Sequence, residues 1–206
     1  MNQDGKKSED FSLEALRAGD RAEFARLVES YSTHIYRLAL KMLKDPQDAE
    51  DVLQETFMKA YKALGGFDGR SSLSTWLYRI AANEALMLIR KRKRVTVALE
   101  DEPDDDAEPL EAPVQIVDWC CLPESELMTG ESRRMMDEAV QQLSPALRAV
   151  FLLRDVEGLS TLETAEALSL SEEAVKTRLS RARLRLRELL SEYYSDRLRR
   201  SEQPED

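Results

Sequence analysis

Six basic residues, Lys176, Arg178, Arg181, Arg183, Arg185 and Arg187, fall within twelve positions that hold no Asp or Glu. The apolar residues threaded between them, Val175, Leu179, Ala182, Leu186 and Leu189, recur at helical spacing and claim one face for a core. The charges are left to point outward. Such a helix offers guanidinium and ammonium groups to phosphates, and residues near its start reach base edges in a major groove. Ser171, Lys176, Thr177, Arg178, Ser180, Arg181 and Arg183 are the candidates for that contact. A helix charged only for solubility would interleave both signs, and this run does not.

A second cationic surface lies earlier in the chain. At about 100° per residue, Arg79, Asn83, Leu86, Arg90 and Arg94 share one stripe, opposite Leu73, Trp76, Leu77 and Ile80. The stripe ends in Arg90-Lys91-Arg92-Lys93-Arg94, a run suited to a phosphate backbone. Cations at a helix C-terminus also favour the macrodipole, but five in succession exceed that need.

The chain has 206 residues and a net charge of -10, which at first argues against nucleic acid. The charge is partitioned, however. Residues 95–131 carry 12 acidic and no basic side chains, while residues 1–94 carry 17 basic against 14 acidic and residues 132–206 carry 13 against 14. The flanks are free to build basic surfaces. No apolar run approaches the roughly 18 residues of a bilayer span, and Met1 to Gly5 begin no secretory leader, so the expected location is the cytoplasm without membrane insertion. Cys120 and Cys121 are adjacent and lack metal-ligand spacing, and Asp104-Asp105-Asp106 reads as a solvated tract, so no metal or other cofactor is expected. Neither a Gly-rich phosphate loop nor HExxH or GxSxG occurs, which leaves no catalytic constellation.

Helices must position the two cationic faces, since no segment alternates with period two. Asp20 with Glu23 has the spacing of a capping box and opens a helix toward Leu43. Asp45-Pro46 starts a second helix, which Gly65-Gly66 ends, and a third runs from Leu73 to Arg94. Ser144-Pro145 repeats the cap-and-proline start, Ser160 with Glu163 makes another capping box, and Ser171 caps the basic helix after a short turn. A short turn between two helices, the second basic, is a helix-turn-helix pattern. The expected architecture is all-α: a first helical domain over 1–94, an acidic Pro-containing flexible linker over 95–124, a second over 125–192 and a polar tail over 193–206.

Residues Asp48 to Phe57 (DAEDVLQETF) and Phe67 to Ala81 (FDGRSSLSTWLYRIA) resemble the second conserved region of bacterial RNA polymerase sigma factors of the extracytoplasmic-function group. Leu152 to Ser160 and Val175 to Arg183 resemble the fourth. The resemblance implies a promoter-recognition subunit that binds core RNA polymerase and promoter DNA and has no catalysis of its own. It implies that Asp48, Asp51, Gln54 and Glu55 meet a basic clamp helix of the polymerase. It places minus-ten recognition on Phe67, Asp68, Arg70, Ser71 and Ser72, which would hold a flipped base, and on Arg79, Asn83 and Arg90 to Arg94. Minus-thirty-five recognition falls to Ser171 and the basic helix. An anti-sigma protein, commonly membrane-bound, is the implied regulator. The family often carries Asp or Asn where this chain has Met87, and glycine where it has Ser169. The rival reading is a stand-alone helix-turn-helix regulator, which would dimerise and bind operators without polymerase.

Overall fold

A computed structural model describes residues 11–97 and 130–201. Every regular element among them is helical. The first domain holds α1 (Leu13–Arg17), α2 (Arg21–Leu43), α3 (Pro46–Ala63) and α4 (Leu73–Val97), and the second holds α5 (Gly130–Gln142), α6 (Pro145–Phe151), α7 (Thr161–Leu168) and α8 (Glu172–Ser201). Both α4 and α8 run past positions 94 and 192, because no Gly or Pro stops them there. The acidic stretch with Asp104 to Asp106 and Cys120-Cys121 lies outside the described residues.

Local chemistry accounts for the helix starts. The Asp45 carboxylate accepts the N–H groups of Gln47 and Asp48 at 2.8 and 3.1 Å, with Pro46 at the first helical position. Ser160 and Glu163 close a full capping box, and Ser171 Oγ accepts the Ala174 N–H at 3.1 Å. At Asp20 only half the expected box forms. Its carboxylate takes the Ala22 and Glu23 N–H groups, but its own N–H donates to the Ala15 carbonyl. Glu23 then accepts the Ser12 N–H at 2.8 Å and joins α2 to the cap of α1, a short helix the apolar spacing does not announce.

The ends of α2 and α7 rest on two strained residues, Lys44 at φ +66° and Ser169 at φ +55°. A left-handed backbone costs a residue with a Cβ roughly 1–2 kcal/mol. Ser169 is the turn position where the resembling family places glycine.

Leu27, Ile35, Leu38 and Met42 of α2 pack with Val52 and Ala60 of α3 and Leu77 and Ala81 of α4, all essentially sealed from solvent. Truncating one such leucine to alanine costs about 2–5 kcal/mol. The core continues into the second domain through Leu143, Leu152, Leu153 and Leu186, while Val150, Ala165, Val175 and Leu179 form a satellite under the helix-turn-helix. The two domains are therefore seated on each other: α4 packs on α7, and α2 on α5 and α6.

Candidate nucleic-acid interface

On α8, Val175, Leu179, Ala182, Leu186 and Leu190 are buried, and Lys176, Thr177, Ser180, Arg183, Arg185 and Arg187 are exposed. Arg178 and Arg181 are half-buried and already engaged in interactions within the chain. Ser171 is exposed and serves as the cap. The first three turns of α8 thus present Lys176, Thr177 and Ser180 outward, after the exposed Glu172 and Glu173 of the first turn, where an ammonium and two hydroxyls can meet phosphates and base edges. Arg183 is placed differently. Its guanidinium is bidentate on the Asp155 carboxylate at 2.8 and 2.7 Å, and that carboxylate holds it still more firmly protonated. Asp155 sits in a five-residue π-helical continuation of α6, Leu152–Val156.

On α4, Arg79, Asn83 and Arg90 are exposed, as are Lys91, Arg92 and Lys93, while Leu86 is half-buried among core residues. Arg94 is helical, and its side chain lies outside the described residues. Met87 is 53% exposed beside Asn83, an apolar surface at the place where the resembling family carries a polar residue.

The loop before α4 is braced from beneath. Phe67 is buried at 6% exposure with its ring 5.0 Å from that of Trp76, so it floors the loop rather than standing free above it. Arg17 of α1 donates to the Phe67 carbonyl at 2.9 Å, and Gly69, at φ +78°, turns the chain over α1. Above this floor, Asp68 accepts the Arg70 N–H at 3.1 Å and its Nε at 2.5 Å. The backbone bond above all, with the guanidinium beside it, holds the Asp68 carboxyl below its ordinary value. Ser71 is half-buried, and Ser72 caps α4 by accepting the Thr75 N–H at 3.1 Å. The loop therefore displays carboxylate, guanidinium and hydroxyl groups on a rigid aromatic base.

On α3 the acidic stripe divides. Asp48 pairs with Arg92 of α4, and Glu55 pairs with Lys59, which also reaches Glu84 at 2.6 Å. The Glu84 hydrogen bond is the main reason that the Lys59 ammonium titrates above its ordinary range. Asp51 and Gln54 are exposed, and the same face continues into Met58 at 52% and Tyr61 at 45% exposure. Met58 and Tyr61, whose ring lies 4.9 Å from that of Phe24, leave apolar surface on an otherwise polar face. Their i+4 and i+7 spacing from Gln54 is the signal that reveals them.

Among the described residues, no group of three or more His, Cys, Asp or Glu is clustered as a metal site, and no helix is long and apolar enough to cross a membrane.

Residues 27–95 match the family Sigma-70 region 2, and residues 133–186 match Sigma-70, region 4. The ECF RNA polymerase sigma factor SigW of Bacillus subtilis is 35% identical over 178 residues, covering 86% of this chain and 94% of that one. The RNA polymerase sigma-H factor of Pseudomonas aeruginosa is 37% identical over 172 residues, covering 83% and 88%. Among solved structures, CnrH in complex with the cytosolic domain of CnrY gives a TM-score of 0.61 at 26% identity, covering 86% of this chain and 94% of that one. The sigma factor RpoE in complex with the anti-sigma factor NepR from Bartonella quintana gives 0.60 at 26%, covering 82% and 96%.

Proposed function

The chain belongs to the extracytoplasmic-function group of bacterial RNA polymerase sigma factors, and from that premise we propose how its surfaces divide the work of starting transcription. It binds core RNA polymerase, recognises promoters and directs initiation. The outer face of α3, with Asp51, Gln54, Met58 and Tyr61, meets the polymerase clamp, and Asp48 and Glu55 contribute if they exchange their pairs with Arg92 and Lys59 for basic residues of the clamp.

The loop and α4 take the minus-ten element as it opens. Extruding a base costs a few kcal/mol, which the pocket must recover by contacts to the base. Asp68, Arg70, Ser71 and Ser72 supply polar partners there, and the Phe67–Trp76 pair holds the loop in shape. Arg79, Asn83 and the cations from Arg90 onward follow the strand. The start of α8 enters the major groove of the minus-thirty-five element, with Lys176, Thr177 and Ser180 foremost and Arg178 and Arg181 at the flank.

The observation that carries this reading is the pair of outward polar faces on α4 and α8, each backed by its own apolar stripe, in one chain. A stand-alone regulator would account for α8 alone and leave the first domain without a task. The polymerase supplies all chemistry, so the chain needs no catalytic group and no cofactor, and it works in the cytoplasm. An anti-sigma protein is its regulatory partner, as in the RpoE–NepR pair. Reconstitution with bacterial core polymerase, followed by genome-wide run-off transcription, tests the reading. A defined set of start sites that depends on the chain is expected, and the absence of both core binding and new starts would overturn it.

A further inference from the structure

The loop before α4 is fixed at its far end by its own chemistry and at its near end by another helix. Ser72 accepts the Thr75 N–H and shares a hydrogen bond with the Thr75 hydroxyl at 2.7 Å, and Thr75 is buried. Asp68 binds Arg70 within the loop. The entry at Phe67 has no such partner inside it. Its carbonyl accepts Nε of Arg17, the last residue of α1, at 2.9 Å and across 50 positions of sequence. Among the described residues, Arg17 is the only side chain from outside the loop that hydrogen-bonds the backbone of Phe67 to Ser72. A charged donor makes the stronger kind of hydrogen bond. Helix α1 also lies directly below the turn, since a Cβ built on Gly69 would stand 3.7 Å from Arg17 Nη2 and 3.8 Å from Leu13 Cδ1.

With five residues, α1 is too short to persist on its own. Tertiary ties hold it. Ser12 Oγ accepts the Ala15 N–H at 3.2 Å, and the Ser12 N–H donates to Glu23 of α2 at 2.8 Å. The Asp20 N–H donates to the Ala15 carbonyl at 2.9 Å, and Leu16 is buried in the core of the first domain. Arg26 steadies the Glu23 carboxylate from the next turn of α2 at 2.7 Å. Order thus passes from α2 through Glu23 to α1, and from Arg17 to the loop. The Sigma-70 region 2 match begins at residue 27, so Ser12, Arg17, Glu23 and Arg26 all precede it.

We infer that α1 is a strut for the base-holding loop and that Arg17 is its positioning residue, fixing the Phe67 carbonyl so that Asp68, Arg70, Ser71 and Ser72 stand at one height when a base is extruded. The inference rests on the reading proposed above, in which this loop takes the base. A loop that must be ordered on binding adds conformational entropy to the cost of unstacking the base, and a preformed loop does not. The buried Phe67 ring anchors a side chain but leaves the peptide after it free to tilt. The Arg17 bond removes that tilt. Arg17 acts through the loop and not on the duplex, so its loss belongs to promoter opening and not to the first encounter.

The test uses the full chain with core polymerase on promoters that run-off transcription has defined, opening being read as permanganate reactivity and the closed complex as affinity in the cold. Arg17→Ala should reduce opening about tenfold with closed-complex affinity unchanged. Arg17→Lys and Arg17→Gln each keep a donor, and both should recover most of the loss. Glu23→Ala should reduce opening a few-fold and add nothing to Arg17→Ala, because both act through α1. The decisive template carries an abasic nucleotide, placed in turn at each non-template position of the minus-ten element. At the position whose base the loop holds, the Arg17→Ala chain and the parent should open alike. Circular dichroism confirms that the variants fold. A tenfold deficit that persists on every abasic template, or an equal loss in the closed complex, would overturn the positioning role. Recovery by Arg17→Lys alone, with the salt slope of the other two variants lower by about one, would overturn it too and make Arg17 a phosphate contact. A parent chain that starts no transcription would defeat the sigma-factor reading and this inference together, whereas an Arg17→Ala chain that opens promoters like the parent would defeat the inference alone.

Discussion

The helices α4 and α8 both carry cations along an outward stripe, yet in the division of labour proposed above they take different forms of DNA. Ahead of α4 stands a loop with an aromatic floor, held by Arg17 and turned at Gly69. Its polar groups can surround a single base, and α4 beyond it offers Arg79, Asn83 and Arg90 to one strand. Ahead of α8 is only a tight turn through Ser169 and Ser171, and the helix is clamped from behind by Asp155 on Arg183. A stiff helix entered from a tight, capped turn fits an intact major groove, and a braced loop fits an unstacked strand. Similar charge therefore does not mean similar recognition; the segment preceding each helix decides it.

The largest effect that would break this contrast is on the duplex reader. Lys176→Ala combined with Ser180→Ala should cost about 2 kcal/mol, or roughly 30-fold in closed-complex affinity of the holoenzyme. The slope of log affinity against log salt should also fall by about one for the lost phosphate contact. An unchanged slope and affinity would remove α8 from the groove. Next, Asn83→Ala should reduce promoter opening about tenfold while leaving closed-complex affinity alone, read as permanganate reactivity of unpaired thymines. Equal loss in both assays would erase the distinction between the helices.

Smaller effects sharpen it. If Arg183 is chiefly a brace, Arg183→Lys lowers stability by about 0.5–1 kcal/mol in urea unfolding, with no additional loss when Asp155→Asn is present. Loss of minus-thirty-five affinity at constant stability would make Arg183 a reader instead. Last, Ser169→Gly should relieve the left-handed strain and raise stability by roughly 0.5–1 kcal/mol, a shift of a few degrees in Tm, without altering promoter choice. A fall in Tm would mean that the serine side chain offsets its own strain.

The features legible in the sequence are those that local chemistry decides. Asp45-Pro46, Ser144-Pro145, Ser160 with Glu163 and Ser171 all cap where their types and spacing place them, because a cap involves only the next three residues. The stripes of α4 and α8 follow from periodicity for the same reason. Phe67 is harder. An aromatic residue in a polar loop reads as a surface group, and only the fold brings Trp76 beneath it. Arg148 is illegible, since the Met42 carbonyl of α2 that completes its surroundings lies 106 residues away and carries no side-chain signature. Helix α5 has a signal in the helical spacing of Met135, Met136, Ala139, Val140 and Leu143. Docking between domains depends on several such distant pairings together, and periodicity cannot supply them.

The π-helical segment at Leu152–Val156 has a bearing on how such a molecule can change over generations. A π turn accommodates one more residue than an α turn, so excising a single codon there would let ordinary α-helix close and swing the downstream chain by about 100°. Glu157 would leave Tyr78 and Asp155 would leave Arg183 at one stroke. The Tyr78–Glu157 bond between the halves and the Asp155 brace on α8 are thus inherited together, and one reading-frame-preserving deletion can break both where point substitutions would erode them one at a time.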